Sequence, residues 1–221
     1  MFRVSYSCSR PSANTTCIDH KQLPPTITST KAAGVQEDGS KGLEYTLFDR
    51  VLEHAPSEER VLRMLTIQYR MHEDIMKWSS DELYGGRLSA SDDVRSHLLR
   101  DLEHVEDGPF TDHPLVMIDT AHCHMYETMT VETDRPKLAS LSKSNPDEGD
   151  LVLLVVRQLC DAGLQQEEIA VISPYNAQVD LIARLLEIDF GLVEVGTVDG
   201  FQGREKEAIV RACCLRRMVN F

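Results

Sequence analysis

Apolar positions along this chain recur with two periods, and the second half is the more regular. Leu43, Leu47, Phe48 and Val51 make a helical stripe that closes at His54-Ala55-Pro56. Residues 61–67 predict a short strand. Residues 72–83 predict an amphipathic helix whose apolar positions are Ile75, Met76, Trp78 and Leu83, ended by Tyr84-Gly85-Gly86. A short helix is expected over 91–99, with Ser91 as its N-cap. Residues 101–113 are acidic and loop-like. Leu115-Val116-Met117-Ile118, followed by Asp119, has the unbroken apolar character of a buried parallel strand. Residues 120–147 are polar and irregular, carry Pro136 and Pro146, and are expected to lack order.

Beyond that stretch the rhythm is strict. A helix is predicted over 150–161, stopped by Gly163, then a strand over 169–172. A helix over 177–188 and a strand over 192–198 follow, and Ala208-Ile209-Val210 opens another strand. Strand and helix in alternation imply βαβ units, hence an α/β fold built on a parallel sheet with helices on both faces. The strands over 61–67, 115–118, 169–172 and 192–198 are expected in one sheet with their carboxyl ends on one side. In such sheets ligands bind at those ends. The loops after Ile67, Ile118, Ile172 and Val198 are therefore where chemistry belongs.

Composition narrows the possibilities. Apolar residues are 42% and charged residues 27% of 221, as in one sizeable globular domain. No apolar run reaches the ~18 residues of a membrane span, and the polar N-terminal stretch does not read as a secretory signal. The 6 cysteines form no CxxC pair. His122-Cys123-His124 is the one dense cluster of soft ligands and has no second pair to complete a tetrahedron, so no metal site is expected. Reduced thiols imply an intracellular protein. A net charge of −13 counts against strong nucleic-acid binding by the chain on its own.

Four segments place bond-forming groups at strand ends. They are Asp19-His20-Lys21-Gln22-Leu23-Pro24-Pro25, Gln68-Tyr69-Arg70-Met71-His72, Ser173-Pro174-Tyr175-Asn176-Ala177-Gln178, and Asp199-Gly200-Phe201-Gln202-Gly203-Arg204-Glu205-Lys206-Glu207. Each has a plain alternative. A lone strand-end arginine is commonly a surface ion pair, Tyr69 and Tyr175 alone are packing residues, glycines mark turns, and residues 204–207 make a solvated charged stretch.

In this order and spacing the segments resemble the motifs of the superfamily 1B helicases, the family of the nonsense-mediated-decay and immunoglobulin mu-binding helicases. The match is closest to the mu-binding type around 65–70 and 195–207. Residues 19–25 resemble helicase motif III, 68–72 motif IV, 197–207 motif V, and 173–178 the motif between IV and V. The resemblance runs from 18 to 209. It implies a RecA-like, P-loop NTPase-type second motor domain of an ATP-dependent, 5′-to-3′ helicase, with ATP and Mg²⁺ as cofactors. It also implies single-stranded DNA or RNA and the first motor domain as partners, and the nucleus or cytoplasm as location. By this resemblance Arg70 reaches the γ-phosphate, a task suited to its planar fork of donors, and Gln22 senses it. Tyr69 lies beside the base, Glu205 accepts from the ribose, and Gly203 lets backbone approach a phosphate. Ser173, Tyr175 and Thr197 become contacts to a nucleic-acid strand.

The chain also departs from that family. It has no G-x-x-x-x-G-K-[ST] phosphate loop and no acidic pair before Gln22 to hold Mg²⁺. Ile18 stands where the family has glycine, and after Val210 no arginine-bearing motif VI follows. The expectation is an incomplete motor. Residues 1–17 form an unrelated, disordered segment, 18–60 a remnant of the first motor domain with a connecting helix, 61–210 the second motor domain, and 211–221 a divergent tail. Such a chain would not turn over ATP alone. A non-catalytic module binding nucleic acid or a partner is the alternative reading, and an unstable fragment a further one.

Overall fold

The computed structural model describes residues 19, 21–23, 27, 29–34, 39, 41–54, 64–131 and 141–214. The expectations for 1–17 and 61–63 fall outside the described residues. A single turn, α1 (Thr30–Ala33), and a two-turn helix, α2 (Leu47–His54), come first. Then follow β1 (Ile67–Gln68), α3 (Glu73–Tyr84) and β2 (Ser89–Ala90). The His72 side chain accepts from the Asp74 amide, and Glu73 and Asp74 fill the first turn of α3. Both features satisfy or complement the exposed amides of a helix start.

The second half is the structural centre. A hairpin of β3 (Thr128–Val131) and β4 (Leu141–Ser144) leads into α4 (Pro146–Asp161). Next come β5 (Ile169–Ser173), α5 (Asn176–Leu186), β6 (Glu194–Thr197) and β7 (Ala208–Arg211). The last three strands form one parallel sheet in the order β6-β5-β7, with Ser173 opposite Thr197. Val156, Ile169, Val171, Ile182 and Leu186 are the innermost of the core that α4 and α5 make against this sheet. Leu99, Leu102, Val105 and Phe110 from the irregular stretch before the hairpin join it.

The sequence reading needs correction in five places. First, the parallel strands do not lie in one sheet. Ile67–Gln68 pairs with Ser89–Ala90 in a separate parallel ladder. Second, Leu115-Val116-Met117-Ile118 forms no strand and all four are exposed. Its hydrophobicity was read correctly, but no neighbouring strand among the described residues supplies the ladder that would bury it. Third, residues 92–96 make turns rather than a helix, and Ser91 Oγ is buried without a partner instead of capping one. Fourth, 120–147 is partly ordered. Thr128 through Val131 pair antiparallel with Ser144 through Leu141. At the other end, Arg211 belongs to β7, the Ala212 amide donates to Ile172, and Ala212 and Cys214 are buried. The fold therefore runs past the boundary expected at 210.

Candidate functional site

Two loops from distant parts of the chain meet beyond strand ends. At the end of β1 the Gln68 side chain is 6% exposed. Its Oε1 accepts from the amides of Arg70 and Met71, both at 2.8 Å, and its Nε2 donates to the Met71 carbonyl at 2.6 Å. Three bonds to one buried side chain fix the turn and aim Arg70 outward. The Arg70 guanidinium then meets Glu205, with Nε at 2.8 Å and Nη2 at 2.7 Å from Glu205 Oε2. Tyr69, next to it, is 57% exposed. Arg70 and Glu205, expected at the γ-phosphate and the ribose, thus pair directly with each other, 135 residues apart in sequence.

The loop after β6 explains how Glu205 gets there. Thr197 Oγ1 accepts from the Gly200 amide at 3.2 Å, and the Thr197 carbonyl accepts from Phe201. Gly203 has φ +90°, a conformation that a residue with a Cβ adopts only under strain. Arg204 and Lys206 turn back to Glu194, and Lys206 Nζ also donates to the Glu167 carbonyl. Glu205, between them, faces the other way, to Arg70. Arg204, Glu205 and Lys206 are thus paired rather than merely solvated.

At the end of β5 the outcome is mixed. Ser173 is 1% exposed, and its Oγ accepts from the Tyr175 amide at 3.4 Å. It shapes the loop and presents no hydroxyl to a ligand. Tyr175 is half-buried, and the Lys143 ammonium lies 5.9 Å from its ring centroid. Lys143 pairs with Glu127 at 2.9 Å, and that carboxylate holds the ammonium's pKa above the usual lysine value. Gln22 is not brought to Arg70. Its Nε2 donates to Asp19 Oδ2, which also accepts from Tyr84 Oη at 2.7 Å. Burial and then Asp19 push the Tyr84 hydroxyl well above its ordinary range. Tyr84 ends α3 while Arg70 precedes its start, and 12 helical residues separate those ends by about 16 Å.

Sequence reasoning missed three supports. The motif of residues 68–72 gives Gln68 no role, although a glutamine closing a short apolar run is itself a signal. Gln178, fully buried, holds the Asn145 backbone with both ends of its amide: Oε1 accepts from Asn145 N at 2.7 Å and Nε2 donates to Asn145 O at 3.2 Å. Lys143 sat in a stretch read as disordered, and nothing local could have placed it beside Tyr175. Among the described residues no group of three His, Cys, Asp or Glu is placed to hold a metal ion. No helix among them is long and apolar enough to cross a membrane.

Comparison with known proteins adds a family. The model of a family described as AAA domain matches residues 43–218. DNA-binding protein SMUBP-2 of Rattus norvegicus is 47% identical over 192 residues, covering 87% of this chain and 18% of the relative. DNA polymerase alpha-associated DNA helicase A of Schizosaccharomyces pombe is 38% identical over 192 residues, covering 87% of this chain and 27% of the relative. DNA replication ATP-dependent helicase/nuclease DNA2 of Homo sapiens is 28% identical over 204 residues, again 87% of this chain and 18% of the relative. The chain therefore spans between 18% and 27% of these relatives' own lengths.

Proposed function

Since the chain belongs to the AAA domain family, of RecA-like P-loop NTPase fold and within the superfamily 1B helicases, we propose that it is the second motor domain of an ATP-dependent 5′-to-3′ DNA or RNA helicase. It supplies the half of the ATP site that faces a P-loop-bearing partner domain. The observation that carries this reading is the meeting of Arg70 and Glu205 across two loops. A guanidinium at that point can transfer from carboxylate to phosphate oxygens with the same fork of donors. Tyr69 and Glu205 would flank base and ribose, and the Gly203 backbone a phosphate. ATP supplies the energy of the cycle when bound, and Mg²⁺ is not assigned to any residue here. Gln22 belongs to the reading as a sensor that must move, since its amide is now spent on Asp19. Tyr175 and Thr197, at the carboxyl ends of adjacent strands, are the strand contacts, and Ser173 supports them.

Phosphoryl transfer needs cradled phosphates, a held Mg²⁺, an oriented water and a charge-stabilising arginine. These 221 residues offer the last and contain no phosphate-loop pattern. That observation favours a second reading for the chain in isolation, a strand-binding module without turnover. An ATPase assay with and without single-stranded DNA separates the two readings. The expected result is no turnover above background. Joined to a P-loop-bearing motor domain of the family, the chain is expected to support turnover, and Arg70→Ala to cut it about a thousandfold with an unchanged unfolding midpoint. Turnover by the 221 residues alone, lost in Arg70→Ala, overturns the division of labour. Full turnover in the joined Arg70→Ala protein overturns the arginine's role.

A further inference from the structure

We propose that Lys143 is a phosphate contact on the single-strand path, held beside Tyr175 and gated by Glu127. The inference rests on the strand-grip reading and adds a residue from an element outside the helicase-like motifs. β4 alternates its side chains across the hairpin. Ser142 and Ser144 are buried. Ser142 Oγ accepts from the Ala177 amide at the start of α5, and Ser144 bonds Thr128. The first bond fastens the hairpin to the start of α5, the second ties β4 to β3, and Lys143 lies between the two serines with its side chain alternating to the other face.

There its ammonium sits 5.9 Å from the Tyr175 centroid, within reach of a cation–π contact. It remains one-third exposed and pairs with Glu127, a partly exposed carboxylate just before β3. An aromatic face that can stack a base, next to a cation that can neutralise the adjoining phosphate, is the recurring unit of sequence-independent single-strand binding. Thr197 lies on the neighbouring strand, opposite Ser173. Cation and ring thus lie together just past the end of β5, and Thr197 ends the strand beside it. In a chain of net charge −13 a permanently free lysine here would be unusual. Glu127 neutralises it until a phosphate takes its place.

Salt dependence separates this role from a structural one. Each phosphate neutralised on a single strand contributes about 0.7 to the slope of log K against log salt. Binding of a fluorescein-labelled oligothymidylate to the full chain is followed by anisotropy over a salt series, with thermal melts of each variant. Lys143→Ala is expected to lower the slope by about 0.7 and to weaken binding about fivefold near 0.1 M salt. Lys143→Arg should keep the slope. Glu127→Gln should tighten binding about two- to fivefold, the worth of an exposed ion pair. A wild-type slope in a folded Lys143→Ala overturns the proposal while leaving the strand grip standing. So does weaker binding by Glu127→Gln, which would make the pair a clasp for the hairpin. Absence of binding by the wild-type chain overturns the strand grip itself and this contact with it.

Discussion

At the scale of single residues, buried polar groups decide which loops are rigid. Gln68 and Gln178 each give both ends of an amide to backbone groups of a neighbouring turn or helix start. Glu148 does the same with charge: its two oxygens accept from the amides of Cys213 and Cys214 at 2.9 and 2.8 Å. That clasp sets Cys214 at φ +51° and seals its side chain inside. Burial, followed by the Glu148 charge, pushes the Cys214 thiol up to about 12. At pH 8 roughly one thiol in ten thousand is then ionised, and thiolate is the reactive form. A thiol whose folded pKa is raised stabilises the fold below its ordinary value near 9, and loses that advantage as pH climbs towards about 12. Native alkylation with iodoacetamide, read by mass spectrometry, should therefore label exposed Cys123 quickly and Cys214 only after denaturation. Equal labelling of the two in the native state would contradict this burial. Candidate chemistry was more legible at this scale than its supports. Arg70 and Glu205 were recognisable because a motif carries them. Gln178, Lys143 and the clasp by Glu148 depend on contacts 32 to 66 residues away, which no local pattern encodes.

Among the elements, legibility followed period. The helix and strands after position 150 were readable because their apolar repeats face one core. The hairpin was not, since β3 and β4 carry few apolar residues and both lie in the stretch that holds Pro136 and Pro146. The start of α4 shows why a glycine misleads. Gly149 lies just outside the helix expected over 150–161, yet it is buried inside α4. A Cβ at that position would stand 2.7 Å from Leu181 Cδ2 and 2.9 Å from Leu185 Cδ1. Glycine is there so that α4 and α5 can approach closely. Substitution sets two effects against each other. Gly149→Ala gains up to about 1 kcal/mol of helix propensity and asks two leucine ends to shift, so it is expected to be near neutral. Gly149→Val adds bulk that those ends cannot yield to, with an expected loss of about 1–3 kcal/mol. Urea unfolding of both variants measures this. Equal stability of the valine and alanine variants would mean that the two helices are not in close contact there.

For the whole molecule the balance lies between charge and uncovered apolar surface. Leu115 is 73% and Met117 90% exposed, and Leu65, Ile67 and Trp78 are exposed as well. The β1–β2 ladder has no third strand among the described residues. Monomeric proteins seldom leave that much apolar side chain in water, and unpaired strand edges template further pairing. Mutual repulsion from a net charge of −13 opposes association. Added salt screens that repulsion but does not weaken apolar contact. The sign follows: association should grow as salt rises, the reverse of an ion-pair interface. Sedimentation velocity at rising chain concentration, in low and high salt, measures it. The double change Leu115→Lys and Met117→Lys should hold the chain monomeric over the range in which the wild type associates. Association that falls with salt, or that persists undiminished in the double variant, would move the cause away from this apolar run and towards charged surface.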